Sequence, residues 1–329
     1  MVHRPPDRVP ARPGLRGRMR LAWLLAVLGL AACGHDEAPP APTSTAPPGL
    51  EALAALEDSA ALDAALLAWP VTSDGVDPDT ARTVLTWRLQ RRAAAGEVEA
   101  AHDDLETLRA HFDGVGRTPE GRRLPEDLLA EGLAEAALDA ARARIEGGDP
   151  DPAGAAAALD LASELDEGEL EDRIEAQRRW CQAGSAAELG LQLPAPTPAA
   201  PRAVLLVDTF AVQAGSPLAP QWARWRARSP DASLDVVPLA RGFTMQGVRR
   251  APGATREQEV DAIRGALDGS ASTFHDAIDG ATFARHMGLP ATSSMCLLLA
   301  ADGSIVARLA GAQLDLQRVE GAWLKLLGQ

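Results

Sequence analysis

Cysteine supplies the most versatile reactive side chain here, and there are three: Cys33, Cys181 and Cys296. Two thiols exchange with a disulfide when one is an accessible thiolate and the other resolves the mixed disulfide. Cys181 and Cys296 are the candidates for such a pair, or for one structural bridge in an oxidising compartment. They stand far apart along the chain, so sequence leaves open whether their Cα atoms come within bonding range. The default is two buried, inert thiols. Cys296 opens the apolar run Cys296-Leu297-Leu298-Leu299, where burial raises a thiol's pKa and suppresses its reactivity. Ser216 would need a base within hydrogen-bond reach and an orienting acid to act as a nucleophile, and no G-x-S-x-G elbow surrounds it. Followed by Pro217 and Leu218, it reads as a helix cap. His275 beside Asp276 reads as a solvated loop pair. The six histidines include no two at i, i+3 or i, i+4, so no metal site is expected. His102 and Glu106 share only a helix face, and Glu164 to Glu175 lacks calcium-loop spacing. No cofactor is implied.

Cys33 calls for different chemistry. It ends Leu30-Ala31-Ala32-Cys33, after an apolar run from Leu21 to Leu30. A run of about ten residues is too short to span a bilayer but suits the core of a secretory signal, and Arg16, Arg18 and Arg20 precede it. Small residues leading into a cysteine resemble the lipobox of bacterial lipoproteins, in which that cysteine is diacylated and becomes the first mature residue. The resemblance implies lipidation at Cys33 and a body anchored at the periplasmic face of a bacterial membrane, with Gly34 favouring the outer one. Met19 begins a compact signal of its own, so residues 1 to 18 read as an upstream extension.

Processing before Cys33 would remove six arginines and Asp7, leaving 26 basic against 45 acidic residues, a formal charge of −19. Such a surface repels phosphate backbones, so nucleic-acid binding is not expected. Abundant alanine, few aromatics and no tyrosine suit closely packed helices better than a β-sandwich.

Two proline clusters divide the chain. Residues 1–33 form the signal with its lipobox, and 34–48 a proline-rich tether. Residues 49–188 form an all-α domain, 189–201 a second proline-rich linker, and 202–329 an α/β domain. In the helical part Val98, Ala101, Leu105, Leu108 and Phe112 recur at spacings of three and four, predicting a helix over 97–112. Leu50, Leu53, Leu56, Leu62, Leu66 and Trp69 form an earlier stripe ended by Pro70. Pro125-Glu126-Asp127 opens a further helix through Leu128, Leu129, Leu133 and Leu138 to Ile145. Gly96 and Gly148 each precede an alanine-rich helix. These starts resemble tetratricopeptide-type hairpins, which would imply protein binding on a concave face; an irregular bundle stays open beside it, because the period is not regular.

From Arg202 the pattern changes. Ala203-Val204-Leu205-Leu206-Val207 predicts a strand buried on both faces. A helix with Leu218, Trp222 and Trp225, a strand at 234–239 and a helix opened by Thr255 follow. A helical stretch at 283–287 and a hairpin around Ala301-Asp302-Gly303 come next, then a last helix at 314–327. This order resembles the thioredoxin-like fold, and among its families the exported, membrane-anchored thiol–disulfide oxidoreductases of the TlpA type. Val204 to Ala211, Asp279 to Gly288 and Leu297 to Val306 carry the resemblance. It implies a C-x-x-C at the start of the first helix, where the helix dipole lowers the attacking thiol's pKa. The matching place reads Ala214-Gly215-Ser216-Pro217, and Ser294 falls where the family has its cis-proline. The expectation is a membrane-anchored, redox-inactive thioredoxin-like protein that binds or scaffolds an envelope protein. The partner would dock near Gly215, Ser216 and Ser294 or on the helical domain. The alternative is a thiol–disulfide oxidoreductase using Cys181 and Cys296.

Overall fold

The computed structural model describes residues 49–71, 76–194, 200–246, 249–267 and 272–329. The signal, Cys33, the tether and most of the second proline cluster lie outside them. No helix among the described residues is long and apolar enough to cross a membrane. The chain forms two compact units.

The first unit runs to Ala95 and includes Ala100–Glu126. It holds α1 (Leu50–Ala54), α2 (Ser59–Ala68), α3 (Pro78–Ala94), most of α4 (Val98–Phe112) and a short hairpin, β1 (Gly116–Arg117) with β2 (Arg123–Leu124). The stripe from Leu50 to Trp69 is two helices rather than one. Asp58 breaks it by accepting the Ala60 amide at 3.1 Å, a side-chain N-cap. Asp77 caps α3 on the Thr80 amide at 2.8 Å, with Pro78 in the first turn. Leu53, Leu62, Leu66, Trp69, Ala81 and Val84 make the core. Asp104 is buried on α4 and is held by Arg88 Nε at 2.8 Å and Arg92 Nη1 at 2.9 Å. Leu105 and Leu108 are fully buried, as the spacing predicted.

The second unit comprises Gly96–Glu99 and Asp127–Gln329. Its helices α5 (Glu126–Ile145), α6 (Pro152–Leu165) and α7 (Glu171–Gln182) precede a sheet with the order β10-β9-β3-β4-β7. Its strands are β3 (Arg202–Val207), β4 (Ser233–Ala240), β7 (Thr273–Phe274), β9 (Ser294–Leu299) and β10 (Ile305–Gly311), and β8 (Ile278–Asp279) pairs with β4 further along. β3 and β4 are parallel and joined by α8 (Leu218–Arg228), whereas β9 runs antiparallel to β3 and hairpins into β10. Every residue of β3 and β9 is buried, which explains their unbroken apolar runs. One face packs Leu205, Val207, Cys296 and Leu298 under Trp222, Trp225 and Trp323. Trp225 and Trp323 stack with centroids 5.4 Å apart. Trp323 belongs to the last helix, α11 (Gln317–Leu326).

The proline cluster at 189–201 does not separate the compact units: α6 and α7 belong with the sheet. Buried Arg308 of β10 reaches the carbonyls that end α7, donating to Trp180 O and, at 2.7 Å, to Ala183 O. Its guanidinium lies 5.6 Å from the Trp180 ring. A cation on the last carbonyls of a helix satisfies both their lone pairs and the dipole. Gly147 N–H donates to Arg308 O at 2.8 Å, and Arg179 donates to His286 O at 3.1 Å. Gly288 marks how closely α7 approaches: at φ +65°, an added Cβ would meet Gln177 N at 2.7 Å. Gly288→Ala is therefore expected to destabilise the second unit by about 2 kcal/mol, part left-handed backbone strain and part clash, and urea denaturation would measure it. Leu128, expected on the inner stripe of α5, is 37% exposed.

Candidate functional site

In an open sheet with parallel strands, ligands gather beyond the carboxyl ends of the strands. Here those ends are Val207 of β3 and Ala240 of β4, and a polar network follows both. Asp208 is buried. Its Oδ1 accepts the Ala211 amide at 2.9 Å and its Oδ2 the Arg241 Nε at 2.6 Å. Arg241 also donates to Ala291 O and, at 2.6 Å, to Ser293 O, so its guanidinium staples the loop before β9 to the ends of β3 and β4. Glu259 is buried on α9 (Arg256–Ala266) and accepts the amides of Arg241 and Gly242, each at 2.7 Å. Both carboxylates and Arg241 are thus consumed internally.

The expected binding edge is only partly there. Gly215 is exposed at φ +87°, with nothing near the position of a Cβ. Ser216 is a fold element: its hydroxyl donates to Ala211 O at 2.6 Å and accepts the Leu218 amide at 3.2 Å. The N-cap of α8 is Pro217 rather than Ser216, so the hydroxyl closes the turn before the helix and leaves no free nucleophile. Ser294 does not face the edge. It is fully buried in β9, where its Oγ lies 3.4 Å from the Asp208 amide that donates to it. The sheet register places it inside because β9 is buried along its whole length.

Cys181 and Cys296 are not bridged; both are free and buried. Burial pushes each thiol up to about 12. At neutral pH neither is a thiolate, so neither can attack a disulfide. His275 is also not the solvated partner of Asp276. Its Nε2 lies 2.6 Å from Asp235 Oδ1, inside the sheet unit. The strand register explains this: β7 pairs in parallel beside Asp235, which brings the following histidine back over β4. His102 pairs with Glu106 at 3.6 Å. No group of three or more His, Cys, Asp or Glu able to hold a metal occurs among the described residues.

What sequence reasoning missed is the segment between β4 and α9. It forms a hairpin, β5 (Phe243–Gln246) with β6 (Arg249–Pro252). Residues 240–256 carry Arg241, Arg249, Arg250 and Arg256 without one acid, in a chain of net charge −14. That local reversal of charge was the available signal. An open cleft of about 570 Å³ lies there, lined by Arg241, Gly242, Phe243, Arg250, Arg256, Glu259, Asp279 and Ala291 among others. Asp279 accepts the Thr282 amide at 2.6 Å as the cap of α10 (Gly280–His286), and the bonds from Thr282 hold its carboxyl below the usual range. No family model, curated protein or solved structure matches the chain.

Proposed function

We propose that the protein is an exported, lipid-anchored envelope lipoprotein whose C-terminal region is a redox-inactive thioredoxin-like module that binds a protein partner. Cys33 would carry the lipid, and the proline-rich segment after it would hold the body away from the membrane. The strand order supports the thioredoxin-like reading: a parallel β3–β4 pair joined by a helix, an antiparallel β9 beside β3, and a β9–β10 hairpin followed by a helix. One observation carries the redox-inactive reading: the two thiols among the described residues are sealed in the interior and fully protonated at neutral pH. The place of the dithiol is taken by Ala214-Gly215-Ser216-Pro217, whose one hydroxyl is spent on the turn.

A thiol titration of the full chain, run beside an insulin-reduction assay, tests this reading. Cys181 and Cys296 should be unreactive in the native protein, both should titrate in urea without reductant, and insulin should not be reduced above background. A native Cys181–Cys296 disulfide that turns over insulin would overturn the reading in favour of an oxidoreductase.

A further inference from the structure

The cleft beside the β5–β6 hairpin holds two arginines outside any ion pair. Of its charged groups, Arg241, Glu259 and Asp279 are engaged in the bonds described above. Arg250 and Arg256 differ: among the described residues no carboxylate comes within ion-pair distance of either, although the charge of Arg256 is felt at the Asp279 carboxyl. Arg250 is held instead by aromatic faces, its guanidinium 4.8 Å from the centroid of Phe243 and 5.8 Å from that of Phe210. A cation held over aromatic faces makes no hydrogen bond to them, so its N–H groups stay available for a carboxylate. Other arginines of this chain have those groups filled internally, as in Arg202 with Asp235 and Arg144 with Glu99.

We propose that this cleft docks a carboxylate-bearing segment of a protein partner, with Arg250 and Arg256 as its anchoring cations. The inference rests on the binding-module reading and gives it a place and a chemistry. Two features select a protein segment. The cleft is open, whereas small-molecule sites enclose most of their ligand, and it is concave, so a protruding acidic side chain fits it better than a flat anionic membrane surface. The chain as a whole carries a net charge of −14, so an acidic segment is drawn to its basic patches only, and its docking is salt-sensitive.

The test uses the full chain in neutral detergent and a fluorescently labelled octaglutamate peptide, with octaglutamine as control. Binding is read by anisotropy at low ionic strength and again in high salt. Octaglutamate should bind, octaglutamine should not, and salt should abolish the signal. The double variant Arg250→Glu/Arg256→Glu should weaken binding at least tenfold. Arg224→Glu, at an exposed arginine of α8 that does not line the cleft, should change it less than twofold. The near-ultraviolet circular dichroism of the tryptophan stack reports that each variant is folded. No octaglutamate binding, or equal losses in both variants, overturns the proposal. So does binding of glycerol phosphate, an anionic lipid headgroup, without binding of octaglutamate, because the patch is then a membrane contact. Insulin reduction on the same sample separates the two ideas: turnover sinks the redox-inactive reading, whereas absent peptide binding without turnover sinks only the cleft.

Discussion

Replacing Asp235 with alanine is expected to destabilise the second unit by about 3 to 5 kcal/mol, the usual result of removing one partner from a buried ion pair. Asp235 is completely buried in the middle of β4 and acts as a hub. It accepts Arg202 Nε at 2.5 Å and Nη2 at 3.0 Å, Ser233 Oγ at 2.7 Å, and faces His275 Nε2 at 2.6 Å. Burial pushes its carboxyl upward, but the bonds from Arg202, His275 and Ser233 outweigh it and hold it below the usual carboxylate range. The sign follows: a depressed carboxyl contributes stability above its unfolded pKa of about 3.9 and loses it as pH falls through the lower folded value. The alanine variant should therefore lose stability near neutrality and show a shallower acid limb. Urea denaturation followed by the near-ultraviolet signal of the Trp225–Trp323 stack isolates the second unit, where both rings lie. The double replacement Asp235→Leu/Arg202→Met removes both charges and should recover most of the loss. If the single and double variants are equally destabilised, the charge argument is wrong and lost packing explains the effect.

Glu146→Gln has the opposite sign. Glu146 follows α5, its side chain only 5% exposed, and Oε1 has no hydrogen-bond partner. Burial pushes its carboxyl up to about 7. Arg142 at 3.6 Å, the Ala310 amide and the more distant Arg318 oppose that rise without cancelling it. Arg308 and the Cys181 thiol also face the group from β10 and α7. A raised carboxyl contributes stability fully below its unfolded pKa and loses it as pH rises through the folded one. Wild-type stability should therefore fall between about pH 4.5 and 7. The glutamine variant carries no such titration. Above pH 8 it should exceed the wild type by on the order of 3 kcal/mol, the equivalent of the 4.5-to-7 shift. Denaturation curves at pH 5, 6, 7 and 8 decide it: parallel wild-type and variant profiles would refute the assignment.

Much of the scaffold was legible because its elements carry period and punctuation. The α4 stripe is buried where the three-four spacing put it, and Thr255 opens α9 with a reciprocal capping box to Gln258. β3 and β9 were readable as unbroken apolar runs because both of their faces are covered. The buried polar groups were not readable. Nothing beside Asp208, Asp235 or Glu146 in sequence announces Arg241, His275 or Arg308, since those partners arrive by strand register and crossover. The hairpin after β4 escaped for a simpler reason: its strands are four residues each and lack the alternating apolar pattern of a half-buried strand. Ser294 was misplaced because counting back from the Asp302-Gly303 turn finds a position along a strand, not the side to which it points.

The Arg308 clasp has a consequence for biosynthesis. Ribosomes deliver α5, α6 and α7 long before β10, and the bond from Arg308 to Ala183 spans 125 residues of sequence. Until that strand emerges, the last carbonyls of α7 have no cation. The end of α7 therefore matures last in structure although early in synthesis, and a nascent chain stopped before Arg308 presents that uncapped helix end to chaperones and proteases.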